Sequence, residues 1–111
     1  MAPSETGFLQ GNLDILVLRA LRGGPSHGYG IARWIRETTD GTFVIEDRAL
    51  YIALHRVEER GWLAASWGVS ENNRRARYYR LSASGRKALA RKHREWTAHA
   101  AAMFKALGVK R

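Results

Sequence analysis

Arg74, Arg75 and Arg77 follow directly on Asn72-Asn73. A guanidinium is permanently charged and presents a planar fork of N–H donors, which suits phosphate oxygens. Asparagine tolerates the positive φ of a tight turn. Beyond it, Arg77-Tyr78-Tyr79-Arg80-Leu81 is rich in aromatics and alternates toward a strand. The run therefore predicts a hairpin with a cationic tip: Trp62 to Trp67 leads out, residues 68–74 turn, and 76–81 return. Period-two counting puts Leu63, Ala65 and Trp67 on one side of the outgoing strand, and Tyr79 and Leu81 on the core side of the returning one. Fixed cations at such a tip grip a polyanion backbone. The plain alternative is a solvated hairpin that keeps the chain soluble.

The elements that must position this hairpin are helical. Upstream, a helix over about 47–60 has Leu50, Ala53, Leu54 and Val57 on one face. Arg48, Tyr51, Ile52, His55 and Arg56 lie on or near the other side and are candidates for reading base edges. Arginine pairs with guanine, and an aliphatic side chain touches the thymine methyl. The competing reading is an ordinary amphipathic surface helix, with Tyr51 packed on its neighbour. Before it, Ser26 is expected to cap a helix over 27–38, with Gly28, Ile31, Ala32 and Ile35 inward. His27 and Tyr29 open that helix, where free N–H groups suit phosphate; equally, Gly28 permits close packing and Tyr29 fills a gap. A first helix is expected to open at Gly11 or Asn12, with Leu13, Leu16, Val17, Ala20 and Leu21 on one face, and to end at Gly23-Gly24-Pro25. Phe43-Val44-Ile45 reads as a short strand.

Ser82 is placed to cap a long last helix reaching about Leu107. Leu89, His93, Trp96, Ala100, Met103, Phe104 and Leu107 recur at three- and four-residue spacing, the seam of a helix pairing. That seam predicts a second copy of the chain as partner. Across it, two Trp96 indoles would sandwich a small flat aromatic molecule; plain packing is the alternative. Helix, helix, helix, basic hairpin, long helix is the order of an α+β, mostly helical winged helix-turn-helix with a C-terminal dimerisation helix. The expected boundaries are a flexible terminus over 1–8, a winged domain over 9–82 and the dimerisation helix over 83–111.

Composition narrows the partners. The chain has 111 residues, 45% of them hydrophobic, enough for one small domain. The formal net charge of +9 favours DNA, RNA or an acidic membrane surface. There is no cysteine, which excludes disulfides and thiolate metal sites. No apolar run approaches the roughly 20 residues that cross a bilayer, and the polar start lacks a signal-peptide pattern. A cytoplasmic protein without membrane contact is expected. Catalysis is not: His93 and His99 do not share a helix face, no metalloprotease-like pair of histidines occurs, and Gly28-x-Gly30 lacks the rest of a nucleotide loop. No metal or cofactor is expected.

Several segments in register resemble PadR-type transcriptional regulators. They are Leu13-Asp14-Ile15-Leu16-Val17-Leu18, Gly24-Pro25-Ser26-His27-Gly28-Tyr29-Gly30-Ile31, and Leu50-Tyr51-Ile52-Ala53-Leu54-His55-Arg56-Val57-Glu58. Gly61-Trp62-Leu63 and Arg74 through Gly85 continue the pattern, so the resemblance covers about residues 10 to 87. A single helix after the hairpin is similar to the small subgroup of that family. The resemblance implies a homodimeric bacterial or archaeal repressor that releases DNA on binding a small, often aromatic effector. Two positions depart from it: Ile52 stands where relatives often have Pro, and Ala49 where they often have Ser or Thr. Operator preference is therefore not carried over. Two other readings stay open: a basic RNA-binding or ribosome-associated module, for which Tyr78 would stack on bases, and a winged-helix module that binds only protein.

Overall fold

A computed structural model describes the backbone from Pro3 to Lys110 and side chains from Asn12 to Lys110. The elements are α1 (Pro3–Ala20), β1 (Ser26–His27), α2 (Gly28–Thr38), α3 (Asp47–Glu59), β2 (Leu63–Val69), β3 (Arg75–Leu81) and α4 (Ala83–Leu107). Three antiparallel strands form one sheet in the order β1-β3-β2. Three helices pack beside it, and α4 runs out from it.

α3 forms where periodicity predicts it. Leu50, Ala53, Leu54 and Val57 are all buried and share one face. Its end is set by Gly61 at φ 80°, with Gly61 N–H donating to Glu58 and Trp62 N–H donating to Val57. This paired closure needs a left-handed residue, and glycine takes it without steric cost. The hairpin register follows from the core: Leu63 faces Leu81 and Ala65 faces Tyr79. Leu63, Tyr79 and Leu81 join one apolar cluster with Val17 and Leu18 of α1 and Ile31 and Ile35 of α2. α1 touches α2, α3 and α4, which is why Leu18 is buried although it lies off the expected stripe of that helix.

Four expectations need correction. α1 begins at Pro3, not at Gly11 or Asn12; proline is preorganised for a first helical position. Met1 and Ala2 of the expected flexible terminus lie outside the described residues. Phe43-Val44-Ile45 is not a strand. Ile45 is buried and Phe43 packs on the core, but the free edge of β3 is taken by Ser26 and His27. Because Ser26 joins that ladder, opposite Tyr79, the cap of α2 moves to His27, whose Nδ1 accepts from Gly30 N–H at 3.0 Å. Finally, Leu89 is buried in the core and so is not on a free seam.

α4 is locked to the head at its start. Ser82 Oγ accepts from Gly85 N–H at 3.0 Å and donates to the Gly61 carbonyl at 2.6 Å. Gly85 is buried, and a Cβ there would collide with the backbone carbonyl of Trp62. Beyond this junction, Trp96, Met103 and Leu107 are exposed, while Ala100 and Phe104 are half-buried.

Candidate nucleic-acid interface

Burying Leu50, Ala53, Leu54 and Val57 turns Arg48, Tyr51, Ile52 and His55 outward at i, i+3, i+4 and i+7. Tyr51 is 67% exposed, so it does not pack into the core. His55 Nε2 lies 3.5 Å from Glu59, and both side chains are well exposed. Arg56 departs from the expectation. Its Nη2 and Nε donate to the two oxygens of Asp14 at 2.5 and 3.3 Å, and Arg60 adds a third bond at 3.2 Å. The hydrogen bond to Asp14 pushes the Arg56 guanidinium above its ordinary pKa, against the effect of burial. This arginine ties α3 to α1, with Nε and Nη2 turned to Asp14.

The wing tip is a turn over residues 70–74. Asn73 takes a positive φ of 59°, and Ser70 and Arg74 close the turn at 2.8 Å. Asn72, Asn73, Arg74 and Arg75 are exposed. The three wing arginines differ in what holds them. Arg77 donates to Glu58 of α3 at 2.8 Å, so its charge is matched by a carboxylate and it braces the wing against α3. Arg75 lies over the Trp67 ring, with Cζ 4.2 Å from the centroid. Arg74 makes no ion pair among the described residues. Tyr78 is on the other face of the hairpin: its ring crosses Gly68 and its hydroxyl donates to the Val69 carbonyl at 3.0 Å.

His27 is used internally. With Nδ1 accepting from Gly30, Nε2 is left to donate to Glu71 at 3.1 Å, and the ring meets Tyr78 edge-on at 5.3 Å. The Glu71 carboxyl is held below its ordinary range, first by its own backbone N–H and then by His27. Tyr29 is open, 68% exposed, with Arg33 over its ring. Tyr29, Tyr51, Asn72, Arg74 and Arg75 line one cleft of about 640 Å³ between α2, α3 and the wing. The structure thus brings together residues from α2, α3 and the wing, while His27, Arg56 and Arg77 each hold an internal partner. Among the dimer-seam candidates, Trp96 Nε1 donates to Asn12 of α1 at 2.7 Å, and His93 is exposed.

Asp14 and Glu71 escape the sequence reading, and so does the contact of Trp67 with Arg75. Trp67 was legible in principle, since pairing it with Arg77 puts it on the same face as the wing arginines. Asp14 and Glu71 act across the fold and carry no local signal.

The model of the transcriptional regulator PadR-like family matches residues 17–91, most of the chain. The chain belongs to the PadR-like family of transcriptional regulators. Members of that family are regulators and not enzymes. A transcriptional regulator from Clostridium thermocellum is 33% identical, with a TM-score of 0.80 over 89% of this chain and 93% of that one. A PadR family regulator from Clostridium difficile is 28% identical, with a TM-score of 0.76 over 86% and 98%. Bacillus subtilis PadR, solved with operator DNA, shares the fold at 22% identity and a TM-score of 0.62, over 70% of this chain and 44% of that one. The PadR-like match runs from the last turn of α1 through the wing to the docked start of α4. No helix among the described residues is long and apolar enough to cross a membrane.

Proposed function

We propose that this PadR-like protein is a sequence-specific DNA-binding repressor that acts as a cytoplasmic homodimer. The observation that carries the reading is the cleft where Tyr51 of α3 meets the unneutralised Arg74 and Arg75 of the wing, with Arg48, Ile52 and His55 exposed on the same helix. Arg48, Tyr51 and Ile52, with His55 beside them, would enter the major groove. Arg74 and Arg75, with Asn72 and Asn73, would contact the adjacent backbone, and Tyr29 would border it. Phosphate contacts set position, and base edges set specificity. Bacillus subtilis PadR in its operator complex supplies the precedent on the same fold.

In the homodimer, Trp96, Ala100, Met103, Phe104 and Leu107 would pack against a partner's α4. The two third helices would then sit roughly 34–36 Å apart on a pseudo-palindromic site. A planar aromatic effector held near Trp96 would release DNA only if it binds one helix spacing better than the other. The RNA reading has less support, because Tyr78 is committed to the wing.

The test is footprinting on the protein's own promoter, with a salt series and an equal-length RNA duplex as competitor. Duplex DNA should win. Arg48→Ala should cost about 1–3 kcal/mol on the operator and little on random DNA. Equal loss on both sequences would count against base reading by α3.

A further inference from the structure

The wing carries an indole that the core does not use. Trp67 is 60% exposed and is absent from the buried cluster and its apolar neighbours. The ladder puts Trp67 opposite Arg77 and Val69 opposite Arg75, so Arg75 is the diagonal neighbour of Trp67 on one face. The Arg75 Cζ to ring-centroid distance of 4.2 Å is shorter than in the other cation–ring contacts among the described residues, at 5.2 to 6.0 Å. At that distance the guanidinium rests on the ring face. Stacking uses the face of the cation and leaves its N–H edge unspent. No carboxylate among the described residues pairs with Arg75, unlike Arg77 on Glu58.

We propose that Trp67 is a positioning residue for DNA binding, which holds the Arg75 guanidinium in place before DNA arrives. The proposal rests on the DNA-binding reading above. A free arginine loses side-chain freedom when it grips phosphate. An arginine already resting on an indole has lost part of that freedom in the unbound protein. The register that brings the two together is fixed far from the tip, by Leu63 opposite Leu81 and Ala65 opposite Tyr79 in the core. A one-residue slip would move the indole to the opposite face, so the head's core also sets the aim of the wing cation.

A double-mutant cycle on the full chain, with a promoter duplex over a salt series, separates this from a solubility role. Trp67→Leu should weaken binding about five-fold, the scale of one immobilised side chain, with the salt slope unchanged. Arg75→Ala should weaken binding and reduce the slope by about 1. The double variant should match Arg75→Ala alone, and Trp67→Phe, which keeps a ring face, should recover most of the affinity. Full affinity in Trp67→Leu, or the same loss with and without Arg75, overturns the proposal while leaving DNA binding intact. Failure of the wild-type protein to bind any duplex overturns the DNA reading itself and the proposal with it. If Trp67→Leu does not fold, Trp67→Thr carries the same comparison in a strand-favouring residue.

Discussion

The winged head and the outer part of α4 are both built from amphipathic helix, yet they meet opposite fates. In the head, the stripe of α3 closes against α1 and β2, and Leu50, Ala53, Leu54 and Val57 are all buried. In α4, Ala88 and Leu89 are buried like α3, but Met103 and Leu107, farther along the same helix, are 55% and 67% exposed. An apolar stripe states that a face favours burial; it does not state which chain supplies the cover. The head finds its cover within one protomer. The outer part of α4 finds it, on the proposed reading, in a second copy.

The sharpest way to break that comparison is in the head. Leu54→Ala should cost about 2–5 kcal/mol, as for buried leucines generally, in denaturant unfolding followed by circular dichroism, at any protein concentration. A loss that varied with concentration would place the head's stability in the assembly. Next is the link between α1 and α3. Asp14→Ala leaves Arg56 and Arg60 without their carboxylate, and their partial exposure limits the cost to about 1–2 kcal/mol. Calorimetry checks this, and an unchanged melting temperature would mean the bonds to Asp14 contribute nothing net.

On the other side of the comparison, Met103→Glu with Leu107→Glu should alter head unfolding by no more than about 0.5 kcal/mol, as surface changes do. On the proposed reading, sedimentation should show a dimer for the wild type and a monomer for this variant at the same concentration. Loss of the head's fold in this variant would erase the distinction between the regions. The smallest effect is at Glu71, a carboxyl whose folded pKa is depressed. Its contribution is present above the ordinary carboxylate range and is lost as pH falls through the lowered folded value. Glu71→Gln should therefore take up fewer protons on unfolding below pH 4.5, the unperturbed value, whereas at neutral pH this site takes up no proton on unfolding in either protein. Identical acid limbs in the two proteins would remove the Glu71–His27 latch from the account.

Much of the head was legible because its signals are local. The stripe of α3, the cap at Ser82 and the inward side of Tyr79 and Leu81 depend on residues two to four positions apart. The misread segments share a cause. Phe43-Val44-Ile45 has strand-forming residues, but a strand also needs a free edge, and Ser26-His27 hold it. Leu89 fits the seam by spacing, but the head lies within its reach.

For the wing, local residue order is enough to place a cluster of arginines on an exposed turn, because turn residues and alternation are properties of neighbours. Motifs in order likewise point to the family. Which cations are left without a carboxylate depends on contacts made across the fold. Asp14 reaches Arg56 across 42 residues and Glu58 reaches Arg77 across 19, while Trp67 supports Arg75 without neutralising it. Charge is additive along a chain, but whether a charge is spent depends on what folding places within hydrogen-bond reach.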